Sequence, residues 1–232
     1  MKKKIKMKQR EGVSFDKSFF SMQSDVNNID SIEERFNYIH NSNFWVGQSS
    51  VSGEGSDETQ TEEIRVKLPE IILEYKIQRM LDLPCGDFNW MESIELNLLE
   101  YIGADIVQEI IRVNNEKYSN DKRRFIKLDI IKDNLPKADL IFCRDCLVHL
   151  SNDNILKSIK NIKRSKSKYL LTTTFTECEI NEDIVTGDWR IINLIKEPLN
   201  FPNPILLINE KCTEGNGTYS DKSLGLWRIS DI

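Results

Sequence analysis

Short apolar runs alternate with amphipathic stretches through the middle of this chain, and three of the first four runs close on or next to an aspartate. The runs occupy 79–83, 100–105, 124–129, 138–143 and 168–175. Each is short enough for a strand and too short for a buried helix. Between them, 106–118 carries Val107, Ile110, Ile111 and Asn114 on one side, and 152–163 carries Ile155, Leu156, Ile159 and Ile162 at helical spacing. A further helix is predicted over 88–96, with Asp87 as its N-cap. Strict alternation of strand and helix implies a parallel sheet covered on both faces. Two late runs, 205–209 and 224–229, flank the polar turn Cys212-Thr-Glu-Gly-Asn-Gly-Thr218. Strands linked that closely pair antiparallel. The predicted fold is therefore α/β, with a mostly parallel seven-stranded sheet and an antiparallel C-terminal hairpin.

Ahead of the first run the pattern differs. Residues 1–28 are polar and basic, with Phe15, Phe19 and Phe20 as apolar anchors, and read as a flexible arm. Residues 29–76 read as a helical and loop segment that acts as a lid on a core of 77–232. Within it, Ser31 and Glu34 form a capping box for a helix over 31–40. Residues 61–75 are helical by pattern, with Pro69 marking a kink or a new start. Between these helices lies a Gly/Ser loop rooted on Phe44 and Trp45, two aromatics that need something to pack on.

Composition enters as a filter. Net charge is −5, against general affinity for nucleic acid. The basic runs 2–10 and 157–168 read as a tail and a solvated helix face. No apolar run approaches the ~20 residues that span a bilayer, so no membrane insertion is expected. Met1-Lys-Lys-Lys-Ile-Lys6 has no apolar h-region behind it, which points to a cytoplasmic protein. Five cysteines without a secretory signal are expected as free thiols. Cys143 and Cys146 lack a second Cys/His pair at zinc spacing, so no metal site is expected.

The stretch Arg79-Met-Leu-Asp-Leu-Pro-Cys-Gly-Asp-Phe-Asn-Trp90 reads as strand, tight turn and helix start. Gly86 has no Cβ, so a ligand can approach its backbone. Phosphate-binding turns of this kind need more glycine, and neither G-x-G-x-x-G nor G-x-x-x-x-G-K-[ST] occurs. The turn instead has acids on both sides, Asp82 and Asp87, which repel a pyrophosphate and suit a cation. Asp105 and Asp129 repeat the strand-end acid, and Asp145 follows the fourth run. Asp is common after strands as a turn former, but this series keeps step with the alternation. Asp105 lies about 20 residues beyond Asp82, the position of a ribose-binding acid one βα unit on.

This turn resembles the first motif of class I S-adenosylmethionine (SAM) methyltransferases, whose fold is Rossmann-like. Pro84 stands where that motif has its first glycine. The D-x-P-C-G-D turn with Phe88-Asn-Trp90, the earlier Gly53-Glu-Gly-Ser56 and the later Leu207-Ile-Asn-Glu-Lys-Cys-Thr-Glu-Gly215 also resemble a bacterial subfamily tied to surface-polysaccharide (capsule) modification. The resemblance implies SAM as cofactor and S-adenosylhomocysteine (SAH) as product. It implies that Asp82, or a water near Gly86, meets the methionine ammonium and that Pro84, Cys85 and Gly86 line the turn. Asp105 with Ile106 would hold the ribose, Asp129 with Ile130 the adenine, and Arg144 would also contact the cofactor. It further implies a small-molecule acceptor, a sugar or phosphoramidate precursor.

Acceptor residues are expected after the fourth strand and in the C-terminal loops. His149 is the first candidate base, with Asp145 behind it as base, orienter or cofactor contact. An alcohol acceptor benefits from a base; an anionic phosphate-type oxygen would instead pair with Arg144, Arg190 or Lys222. Trp45, Arg190, Asn193, Lys222 and Trp227 are the acceptor-binding candidates; Trp189 and Trp227 suit either an apolar wall or ordinary core. The functional expectation is a SAM-dependent methyltransferase acting on an oxygen of a small polar molecule. The alternatives are a catalytically silent SAM-binding module and methylation of another metabolite or a peptide group. A nicotinamide-linked oxidoreductase is disfavoured by the missing glycine fingerprint.

Overall fold

The computed structural model describes residues 16–22, 29, 31–46 and 50–232. Seven strands form one sheet: β1 (Arg79–Asp82), β2 (Glu100–Asp105), β3 (Arg123–Lys127), β4 (Leu140–Cys143), β5 (Tyr169–Phe175), β6 (Leu206–Asn209) and β7 (Lys222–Arg228). Their order is β3-β2-β1-β4-β5-β7-β6. The first five run parallel, and β7 runs antiparallel to both β5 and β6. This is the mostly parallel sheet with an antiparallel C-terminal pair that the run pattern predicts. Because β1 lies between β2 and β4, strand order reverses there, and the carboxyl ends of β1 and β4 flank the crevice where such sheets take ligands.

The described helices are α1 (Phe19–Met22), α2 (Ile32–Ser42), α3 (Glu62–Glu74), α4 (Gln108–Tyr118) and α5 (Asn152–Arg164). One face of the sheet is covered by α5 through Ile155, Ile159 and Ile162; the other by α3 through Ile64, Leu68, Ile71 and Ile72, with Ile111 of α4. Leu68 is fully buried; truncating such a leucine to alanine costs about 2–5 kcal/mol. Ser31 and Glu34 form the expected capping box on α2, and Ser151 caps α5.

Three local expectations are corrected. No α-helix covers 88–96: only a short 3-10 turn, Met91–Ser93, forms there. Phe88 adopts a left-handed φ of 58°, which breaks helical geometry at the first turn. Its ring is held instead against Tyr101, Tyr118 and Phe125, each about 5.2 Å away centroid to centroid. Pro69 lies inside an unbroken α3 rather than at a new start. Leu156 faces solvent at 46% exposure, since Ile155, Ser158, Ile159 and Ile162 already complete the inward stripe of α5.

Of the expected N-terminal arm, residues 1–15 and 23–28 lie outside the described residues, as do 30 and 47–49 of the lid segment. Residues 16–22 are docked against the C-terminal half. Phe20 N and Ser21 N donate to the Asp188 carboxylate at 2.7 and 3.1 Å, and Trp189 N donates to Lys17 O at 3.0 Å. A Cβ on Gly187 would fall 2.8 Å from the Phe20 ring, so only glycine lets the two segments meet.

Candidate functional site

A cavity opens at the carboxyl ends of β1, β2 and β4. Asp82, Pro84, Cys85, Gly86, Asp105, Ile106, Asp129, Ile130 and Arg144 all line it, so every residue expected at the cofactor converges there. Parallel pairing explains the convergence: Asp82 is in register with Gly103 and Phe142, which brings the strand ends and their following turns together.

The acids differ in charge state. Burial pushes the Asp82 carboxyl up to about 8; the Tyr101 hydroxyl, which donates to Oδ2, only partly offsets this, and Asp105 adds to the rise. Burial also raises Asp105, to about 6, against donation from the Val107 and Gly86 N–H groups at 2.9 and 3.3 Å. Asp129 accepts from Ile131 N at 2.8 Å and lies 3.4 Å from the Lys132 ammonium. Asp82 and Asp105 have no ion pair among the described residues.

Described residues of the 29–76 segment line this cavity, among them Ile32, Phe36, Trp45, Val51 and Ser52. Ser50 Oγ and Val51 N donate to the Asp87 carboxylate at 3.0 and 2.9 Å. Asp87 therefore ties down the loop instead of capping a helix. A Cβ on Gly86, whose φ is 51°, would fall 2.2 Å from Ser52 Oγ. The close approach that glycine allows at this turn is thus to the loop's own Ser52. Gln60 joins the loop to the C-terminal hairpin, donating to Thr213 Oγ1 at 2.7 Å and accepting from Thr213 N at 3.1 Å.

A second cavity lies beside the first, walled by Glu54, Phe175, Trp189, Glu214, Tyr219 and Lys222 among others. Trp45, Ser52, Asp145 and His149 line both cavities. The Trp45 ring stacks on His149, centroids 4.6 Å apart at 30°. His149 Nδ1 lies 3.0 Å from the Asp188 carbonyl oxygen. A carbonyl only accepts, so Nδ1 carries the proton and Nε2 keeps its lone pair. Burial lowers the His149 pKa to about 4, against a smaller upward pull from that carbonyl. The imidazole is therefore neutral across the physiological range.

Of the roles expected for Asp145, its charge state bears on that of base. Burial opposes its ionisation, but Lys222 and Arg144 outweigh burial and hold it at about 2. Lys222 Nζ lies 2.7 Å from Asp145 Oδ2, and Arg144 3.3 Å from the same oxygen. A carboxylate so acidic is a poor proton acceptor at neutral pH. Arg144 donates to Glu210 at 2.6 Å, and Lys222 lies 3.6 Å from both Glu210 and Glu214. Arg144 and Lys222 are thus committed to carboxylates.

Three acceptor candidates are placed elsewhere. Arg190 is buried and donates to the carbonyls of Leu147, Leu150 and Glu182. Asn193 donates to the carbonyls of Thr176 and Cys178. Both hold the loops behind the cavity and line neither cavity. Trp227 is core: it is 1% exposed, packs on Phe201 and donates to Pro202 O at 2.7 Å. Of Trp189 and Trp227, which suited either reading, Trp189 is the one that faces the second cavity. Glu54, Glu214, Tyr219 and Asp188 were not legible as site residues. Glu54 and Glu214 lie within two of the segments that carry the subfamily resemblance; for Tyr219 and Asp188 the hint was their position in polar loops around expected site residues.

No protein-family model matches the chain, and no curated protein matches it. Solved structures share its fold. The N-methyltransferase NodS from Bradyrhizobium japonicum WM9, in complex with S-adenosyl-L-homocysteine, aligns with a TM-score of 0.57 at 14% identity over 75% of this chain and 89% of that one. The PH0226 protein from Pyrococcus horikoshii OT3 aligns at 0.54 and 16% identity over 83% and 98% of the two chains. Human N-acetylserotonin methyltransferase in complex with SAM aligns at 0.55 and 13% identity over 93% of this chain and 62% of that one. The fold is that of the SAM-dependent methyltransferases.

Proposed function

We propose that this chain is a SAM-dependent methyltransferase that methylates an oxygen of a small polar acceptor in the cytoplasm and releases SAH. The observation that carries the reading is the shared wall. Two cavities meet at Trp45, Ser52, Asp145 and His149, at the end of the sheet where this fold takes ligands. One cavity suits the cofactor. Asp82 and Asp105 have no ion pair there among the described residues, and a raised Asp82 carboxyl is what a site awaiting a positive ligand group would have.

In this reading Asp82 pairs with the methionine ammonium and Asp105 accepts from the ribose hydroxyls. Asp129 takes the adenine amine, with Ile130 as an apolar shelf. SAM supplies a methyl carbon made electrophilic by its sulfonium. The chain supplies placement, dryness and a proton acceptor. Trp45 seals the junction, and exclusion of water strengthens the electrostatic interactions inside. His149, held by the Asp188 carbonyl, presents Nε2 as the base for an acceptor hydroxyl. The D-x-P-C-G-D resemblance supports a setting in surface-polysaccharide assembly, with a sugar or phosphoramidate precursor as acceptor.

The test is incubation with SAM and candidate acceptors, followed by mass spectrometry for SAH. Acceptor-dependent SAH is expected. Tight SAH binding with no turnover on any acceptor would instead mark a silent SAM-binding module.

A further inference from the structure

The second cavity has a charge balance that selects among acceptors. Three carboxylates line it, Glu54, Asp145 and Glu214, against one cation, Lys222. That cation is buried and already lies within 3.6 Å of three carboxylates. With Arg144 and Glu210 beneath it, the buried network holds two cations against three anions. Arg190, the other nearby cation, faces away, toward backbone carbonyls. No uncommitted cation lines the cavity among the described residues. An incoming phosphate would meet like charge in a partly desolvated space, where such repulsion is weakly screened. A hydroxyl would donate to carboxylates, forming charge-assisted hydrogen bonds. Trp189 and Tyr219 line the same cavity, their rings 5.0 Å apart at 71°, and Phe175 packs edge-on against both. Aromatic faces in a corner suit the apolar face of a ring.

We propose that this cavity takes an uncharged sugar ring, its hydroxyls donating to Glu54, Asp145 and Glu214 and its apolar face against Trp189 and Tyr219, and that it turns away phosphorylated acceptors. This rests on the methyl-transfer reading and narrows it. A neutral hydroxyl needs a base, which His149 supplies. The O–H proton passes to Nε2, the oxygen bonds the methyl carbon, and the carbon–sulfur bond breaks with its electron pair going to sulfur. A methyl ether and SAH leave. The expectation that Arg144, Arg190 or Lys222 would pair with an anionic acceptor is thereby dropped.

The test uses the SAH-loaded full chain. Methyl glycosides of glucose, galactose, mannose and N-acetylglucosamine, glucose 6-phosphate and inorganic phosphate are titrated by saturation-transfer NMR. At least one glycoside is expected to bind in about the millimolar range. Glucose 6-phosphate should bind at least about tenfold more weakly than methyl glucoside, a penalty of about one like-charge contact. Trp189→Ala and Glu54→Gln should each weaken the glycoside about fivefold or more; Glu54 is exposed, so its variant keeps the fold. Equal or tighter binding of either phosphate compound overturns the proposal. So does the absence of glycoside binding, or glycoside binding that neither variant changes. A chain that fails to bind SAH at all defeats the methyl-transfer reading instead.

Discussion

Asp82 should make cofactor binding pH-dependent. Its carboxyl is pushed up to about 8, so it is mostly protonated at pH 7 without ligand. Pairing with the ligand ammonium requires ionisation, which costs about 1.4 kcal/mol for each pH unit below that value. From pH 6.0 to 7.5 the ionised fraction rises roughly 25-fold, and affinity should rise with it. Asp105, raised to about 6, adds at most about twofold over the same range. The window stays below the ordinary α-amino value, so the ligand keeps its charge. The linkage has a matching sign in the ligand-free fold. A carboxyl raised above its unfolded value contributes stability that is present at low pH and lost as pH rises toward 8. SAH should therefore raise the melting temperature more at pH 7.5 than at pH 6. Calorimetry with SAH in two buffers of different ionisation enthalpy counts the proton released, close to one near pH 6.5. Asp82→Asn keeps an acceptor for the Tyr101 hydroxyl and should abolish both the proton release and most of the slope. A wild-type affinity that changes less than about threefold across the window, or an Asn variant with an unchanged slope, would refute the reasoning.

Three further outcomes are expected. Asp105→Ala removes two ribose hydrogen bonds and should cost about 2–4 kcal/mol of SAM affinity, at ~1–2 each; undiminished affinity by calorimetry would remove Asp105 from the site. SAH should protect residues 44–60 from protease, and Gly86→Ala, whose Cβ would fall 2.2 Å from Ser52 Oγ, should weaken that protection; equal cleavage with and without ligand in wild type would rule out a lid. His149→Ala should lose about 10²–10⁴ in turnover on a neutral acceptor, and because His149 titrates at about 4, wild-type turnover should show no inflection from this residue between pH 6 and 8. Turnover within a few-fold of wild type in that variant would retire His149 as base.

The chain by itself determined the sheet, its largely parallel sense and the row of acids that gathers at one end. Those features are local: a strand needs only a short apolar run, and an aspartate at its end follows it wherever pairing takes the strand. Once β1, β2 and β4 pair in parallel, Asp82, Asp105 and the turn after β4 have to meet. Local pattern failed where a long-range contact outbid it. At Phe88 the aromatic cluster replaced a helix, and Asp87 took the loop at Ser50 and Val51 instead of capping. The second cavity belonged almost wholly to tertiary structure. Lys222 and Asp145 are 77 residues apart in sequence, and Arg144 and Glu210 are 66 apart. Nothing at either end of those spans marks its partner. The same is true of Trp227, which goes to the core while Trp189 faces the cavity, although in sequence both are tryptophans of the C-terminal region. Charge state was decided last. Desolvation acts through everything packed around a group, so no sequence pattern says that Asp82 holds its proton, that Asp145 has lost one, or that His149 stays neutral.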